Sequence, residues 1–218
     1  QLALAVGLRP AVQTRVSLLL LRVSHHRSAP PPSMRSRVTD LRKRTLLSLI
    51  VRSPHTGTLF SADPAAVDAL RRLGATAAYA PDPVALPECP GQAVPTRARH
   101  GISPDRLLLV LYGALAERKG VLAVLDALHR IDPAVARRLA LLLAGPVQPD
   151  IADRLPMAIA DAIARTDVEV RLHDAFLDEA ESCAVVDAAD VVLVPYLDHA
   201  GTSSVLIRAA GAGRPVLS

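Results

Sequence analysis

The sequence predicts an α/β fold in which a parallel, Rossmann-type sheet occupies residues 106–218, behind a less regular stretch with strand and helix signals of its own. Three observations predict it. From residue 107 onward, apolar runs of strand length alternate with segments of helical period, the order that builds right-handed β-α-β units. The runs lack polar alternation, as do strands covered on both faces. Two of them end in bends containing glycine or hydroxyl residues that lead directly into helix signals.

Taken in order, a strand is expected at 15–21, a proline-rich loop at 29–33 and a basic helix at 35–51. A second strand at 58–60 then meets a helix that opens at Pro64, with Asp63 as its N-cap and proline at the first helical position, where its missing N–H costs nothing. Residues 81–105, rich in proline and small side chains, read as a linker. Beyond it, strands are expected at 107–112, 139–144, 168–172 and 191–195. Val121, Leu125 and Leu128 share a helix face, as do Ile151, Leu155, Ile159 and Ile163, with Pro156 expected to kink or break that second helix.

Composition narrows the function classes. With 218 residues and half of them hydrophobic, the chain can bury one substantial core or two modest ones. Two Phe and three Tyr are its only aromatics, which argues against a base-stacking nucleic-acid platform. Its net charge of +4 suits an anionic ligand or lipid surface without selecting either. Cys89 and Cys183 lie far apart and lack CxxC spacing, so neither a disulfide framework nor a zinc site is expected, and a reducing cytosol is the default. The aliphatic run 16–21 is too short to span a bilayer. The chain opens on Gln1 and its last residues read as the start of a strand, so both ends are expected to be cut.

In an open parallel sheet, ligands bind beyond the carboxyl ends of the strands. Two bends there carry chemistry. After the 107–112 run comes Gly113-Ala-Leu-Ala-Glu-Arg-Lys-Gly120, where Gly113 lets the chain turn and Arg118 and Lys119 bring cations to a helix start that already attracts anions. A diphosphate is the expected guest; an ordinary exposed Arg-Lys pair is the plain alternative. After the 191–195 run comes Tyr196-Leu-Asp-His-Ala-Gly-Thr-Ser-Ser204. Gly201 allows close backbone approach, and Thr202, Ser203 and Ser204 can cap the helix or donate to a phosphate.

These segments, in this order, resemble the carboxyl-terminal domain of glycosyltransferase family 4, whose members pair two Rossmann-like domains in the GT-B arrangement. Residues 113–120 resemble the family's GRLxxxKG segment, 142–146 its strand ending in a Gly-rich turn, 188–195 its "aDvfvlPS" strand, and 209–216 its "EAmAcGxPVv" block. Weaker likeness at Phe60-Ser-Ala-Asp63 and at 80–84, similar to the "ipNGV" hinge, makes residues 1–80 the later part of an acceptor-side amino-terminal domain, 81–105 a linker and 106–218 a nucleotide-sugar-binding domain incomplete at its end. The resemblance implies that Gly113, Arg118, Lys119, Gly120 and Gly145 lie at the donor diphosphate. It further implies that amides of Gly201, Thr202, Ser203 and Ser204 hold the distal phosphate, and that the backbone near Leu172 and His173 faces the base. His25 and His26 fall near the family's transfer site.

The departures are as informative. The family's Glu-x7-Glu pair falls at Ala200 and Arg208, and the arginine of its GR step falls at Ala114. The contacts to the transferred sugar and to a ribose hydroxyl are therefore changed. His199 and Arg118 could substitute partly; Arg208, a donor only, could instead pair with a phosphate. The resemblance implies a hexosyltransferase-type enzyme, bacterial and cytoplasmic, moving a sugar from a nucleoside-diphosphate sugar to an unknown saccharide or lipid-linked acceptor. It implies no cofactor, metal or nucleic acid, and little activity from this stretch alone. Two alternatives are a degenerate relative that binds a nucleotide sugar or partner subunit without catalysis, and an unrelated doubly wound module. The basic stretch 34–44 could rest peripherally on anionic lipid at the inner membrane face, or be a solvated helix face.

Overall fold

In a computed structural model of the chain, residues 14–20, 34–81, 91–197 and 203–218 are described, the side chains of 34–40 excepted. They fall into two compact units.

The first unit is a three-stranded parallel sheet in the order β1 (Val16–Leu19), β2 (Thr56–Ser61), β3 (Ala77–Tyr79). Helix α1 (Met34–Arg52) connects β1 to β2, and α2 (Pro64–Arg72) connects β2 to β3. Asp63 caps α2 as its sequence predicts: its carboxylate accepts from the Ala65 N–H at 2.9 Å, with Pro64 in the first turn. The core consists of Leu47, Ile50, Leu59, Val67, Leu70 and Ala77. Residues 41–45 of α1 are exposed, and among the described residues no helix is long and apolar enough to cross a membrane.

The second unit opens with α3 (Ala93–Arg99), inside the segment read as a linker. It is fastened to the sheet by Arg97, whose guanidinium donates to the Ala188 and Arg106 carbonyls and meets Asp190 at 2.6 Å. The sheet that follows has five parallel strands in the order β6 (Glu169–His173), β5 (Leu139–Ala144), β4 (Leu107–Tyr112), β7 (Val191–Leu193), β8 (Val216–Leu217). The chain builds outward from β4 through β5 to β6, then returns to β7 on the other side of β4, so the winding reverses between β4 and β7.

Both faces of this sheet are covered, which explains the unbroken apolar runs. Leu108, Val110 and Tyr112 point to one face, against α7 (Glu179–Ala188) and α8 (Ser204–Gly211). Leu109 and Leu111 point to the other, against α4 (Val121–Leu128) and α6 (Leu155–Arg165). The short helix α5 (Pro133–Ala136) turns the chain into β5.

The helix expected from Ile151 begins instead at Leu155, with residues 151–154 in turns. Pro156 lies in its first turn, where no helical N–H is needed, so it starts the helix and does not kink it. β7 ends two residues short of the predicted 195, and β6 is displaced by one residue to 169–173. Cys183 on α7 is disulfide-bonded, which corrects the expectation of no bridge.

Candidate functional site

The crevice where the winding reverses lies beyond the carboxyl ends of β4 and β7, the place at which open α/β sheets bind ligands. β4 leads there through Gly113, at φ 88°, whose N–H donates to the Ala144 carbonyl at 2.9 Å. Gly145, at φ 139°, follows β5, and a side chain on it would collide with the Gly113 carbonyl. The two strand ends touch because residue 145 is glycine.

Past Gly113 a single 3-10 turn, Glu117–Lys119, precedes Gly120 (φ 73°) and α4. A Cβ on Gly120 would strike the Pro195 carbonyl, and the Leu197 N–H donates to the Arg118 carbonyl at 2.9 Å. The bend after β4 is thereby bound to the bend after β7. Lys119 lies along this seam: its Nζ donates to the Tyr112 carbonyl at 2.8 Å, sits 5.8 Å from the centroid of the Tyr196 ring, and would be 2.7 Å from a Cβ on Gly113. The Tyr196 hydroxyl is 3.0 Å from the Ser203 Oγ. Ser203 caps α8, its Oγ accepting from the Leu206 N–H at 3.2 Å.

The electrostatics follow from this burial. Lys119 is only 7% exposed. Desolvation, with a smaller push from the Arg118 charge, lowers its pKa from 10.5 to about 8. The exposed cationic tip suggested by sequence is thus a buried ammonium, close to losing its charge, with one proton given to Tyr112 and no partner for the other two among the described residues. Tyr112 is buried at the end of β4 with its hydroxyl unpartnered, and desolvation raises its pKa to about 12.

Gly113, Arg118, Lys119, Gly120, Gly145 and Ser203 therefore converge at one crevice, with Ser204 exposed beside them. Leu172 and His173 lie two strands away on β6. The His173 carbonyl accepts from the Gly145 N–H at 2.9 Å, and its ring meets His100 edge-on at 5.0 Å. Arg208 is not a free cation for phosphate: its guanidinium grips Glu179 with both nitrogens, at 2.5 and 2.8 Å. His25, His26, His199, Gly201 and Thr202 lie outside the described residues.

Sequence reasoning missed Tyr112, Tyr196 and Glu179. The two tyrosines could have been found by asking where a chain with five aromatics places them: Tyr112 is the last residue of β4, and Tyr196 follows the end of β7 by three residues. For Glu179 the available signal was the D-x-x-E spacing of Asp178 and Glu181, which form a capping box that starts α7.

No protein-family model matches the chain, and none of the curated proteins matches it either. Solved structures do. HepE of Anabaena in complex with UDP aligns with a TM-score of 0.67 at 17% identity, over 92% of this chain and 52% of its own. WaaG, a glycosyltransferase involved in lipopolysaccharide biosynthesis, aligns with a TM-score of 0.64 at 17% identity, over 95% of this chain and 59% of its own. Sucrose-phosphate synthase of Thermosynechococcus elongatus aligns with a TM-score of 0.61 at 20% identity, over 85% of this chain and 45% of its own. The chain spans roughly half the length of these neighbours. At such identities the likeness is one of fold, and the fold is that of the GT-B glycosyltransferases, a Rossmann-like α/β architecture with parallel sheets.

Proposed function

We propose that the second unit binds the diphosphate of a nucleoside-diphosphate sugar in the β4/β7 crevice, and that the protein is a hexosyltransferase-type glycosyltransferase acting on a saccharide or lipid-linked acceptor. The observation that carries this reading is the seam itself: the Lys119 ammonium and the amino end of α8 are joined through Tyr196 and Ser203 at the point of reversed winding. A buried ammonium, which among the described residues gives a proton to the Tyr112 carbonyl, and the capped start of α8 form a site for two linked phosphates.

In such a reaction the bond from the anomeric carbon to the diphosphate oxygen breaks and negative charge grows on the leaving diphosphate. Lys119, Arg118 and the helix amides meet that charge, so catalysis rests on positioning and on stabilising the leaving group. The glycines at 113, 120 and 145 let backbone approach the phosphates, while the rim at Leu172 and His173 is left for the base. HepE was crystallised with UDP and with UDP-glucose, which makes these the first ligands to try.

A second reading, a relative that binds the donor without transferring sugar, is favoured by one observation: Arg208, where a carboxylate belongs in the resembled family, is locked to Glu179. Titrating the protein with UDP, GDP, ADP and their glucose conjugates, followed by assays for transfer and hydrolysis, separates the two. Binding with turnover supports the enzyme, binding without turnover supports the degenerate relative, and no binding removes both.

A further inference from the structure

We infer that the Arg208–Glu179 ion pair is a positioning device that sets the amino end of α8 for the diphosphate, an inference that rests on the donor-site reading above. Helix α8 has eight residues and only two buried side chains, Val205 and Ala209, both small. Apolar packing of that size fixes the rotation of a helix poorly, since little surface is lost when it turns or slides. The strand that follows it has two residues.

Among the described residues, two side-chain ties hold this helix. One is the Tyr196–Ser203 hydroxyl contact at its cap. The other is the two-pronged grip of Arg208 on Glu179, the first residue of α7. A bidentate guanidinium–carboxylate pair is planar and directional, so it fixes orientation where a single charge contact would not.

The anchor point is itself rigid. Glu179 follows Asp178, whose side chain accepts from the Glu181 N–H at 2.8 Å while Glu181 returns a bond to the Asp178 N–H at 3.1 Å. The pair therefore ties the start of α7, the helix that follows β6, to α8, the helix that follows β7. Arg208 also lies close enough to the buried Tyr112 phenol at the tip of β4 for its charge to act on that group. Its side chain is 19% exposed, and it meets Glu179, whose own side chain is 53% exposed.

The test uses Glu179→Gln, Arg208→Gln and the double variant in the full chain. It reads amide hydrogen exchange at Leu206 and Ile207, whose N–H groups bond Ser203, together with affinity for the best bound of UDP, GDP and ADP. Each single substitution is expected to speed exchange at those two amides relative to the β4 and β5 amides, and to weaken nucleotide binding about three- to thirtyfold. The double variant is expected to be no worse than the weaker single, because each substitution removes the same interaction. Should Arg208→Gln fail to fold, Glu179→Gln at the half-exposed end of the pair carries the test. Unchanged exchange in α8, or unchanged affinity in variants of a chain that binds nucleotide, overturns the role of the pair alone. Failure of the unaltered chain to bind any of the three nucleotides overturns the donor-site reading, and the pair's role with it.

Discussion

Replacing Lys119 with methionine should stabilise the protein while impairing it. The ammonium is 7% exposed and its pKa stands at about 8 against 10.5 when exposed. At pH 7 that gap of about 2.5 units corresponds to about 3 kcal/mol by which the buried charge opposes folding. Methionine has a similar length and no charge; it forfeits the charge-assisted bond to the Tyr112 carbonyl, worth about 2 kcal/mol. A net gain of about 1 kcal/mol is expected near neutral pH.

The sign of the pH dependence follows. Between pH 8 and 10.5 the unfolded chain still holds the Lys119 proton while the folded chain has released it, so the parent's stability should rise with pH across that window. The variant should lack this rise. Urea melts of both proteins at intervals from pH 7 to 10 measure the effect, and calorimetric titration with UDP measures the functional cost, expected to be at least tenfold. A variant less stable than its parent at pH 7, or a rise with pH that survives the substitution, would show that the buried ammonium does not oppose folding.

Nucleotide affinity in the unaltered protein should fall as pH rises through about 8, as Lys119 loses its proton, and Lys119→Arg should flatten that decline; titrations at pH 7 and 9 decide it. Gly145→Ala should destabilise by about 2 kcal/mol or more and abolish nucleotide binding, because its φ of 139° and the facing Gly113 carbonyl leave no room for a methyl group. Tyr112→Phe should be neutral or stabilising by up to about 1 kcal/mol, since it removes a buried hydroxyl with no partner. It should also remove the parent's stability loss between pH 10 and 12, where the unfolded chain ionises the phenol and the folded one does not; alkaline melts show it. Asp190→Asn should cost about 1–3 kcal/mol, because its carboxylate serves both Arg97 and the Leu108 N–H.

The strands of the second unit were legible because β4 and β5 bury both faces, so Leu107 to Tyr112 and Leu139 to Ala144 carry unbroken apolar runs that few other structures require. Helix α7 was harder to read. Its buried residues Ala184, Val185, Val186 and Ala188 crowd together without a clear three-and-four spacing, and only its capping box marks it. Strand β3, only Ala-Ala-Tyr at a sheet edge, gives almost no periodic signal.

At the site, sequence order placed Gly113, Lys119, Gly120 and Ser203 correctly at strand-to-helix bends, because glycine and capping residues follow local backbone needs. Burial of Lys119 and capture of Arg208 were not legible. Both depend on what another element brings: Tyr196 from the bend after β7, and Glu179 from a helix 29 residues earlier.

In the proposed donor site the bends after β4 and β7 grip one diphosphate. Backbone amide resonances followed during a UDP titration test it directly: Gly113 and Gly120 on one side, Ser204 and Leu206 on the other. A single site predicts that both groups shift along one saturation curve, and that uridine moves neither. Shifts confined to one bend, or two curves with different midpoints, contradict it.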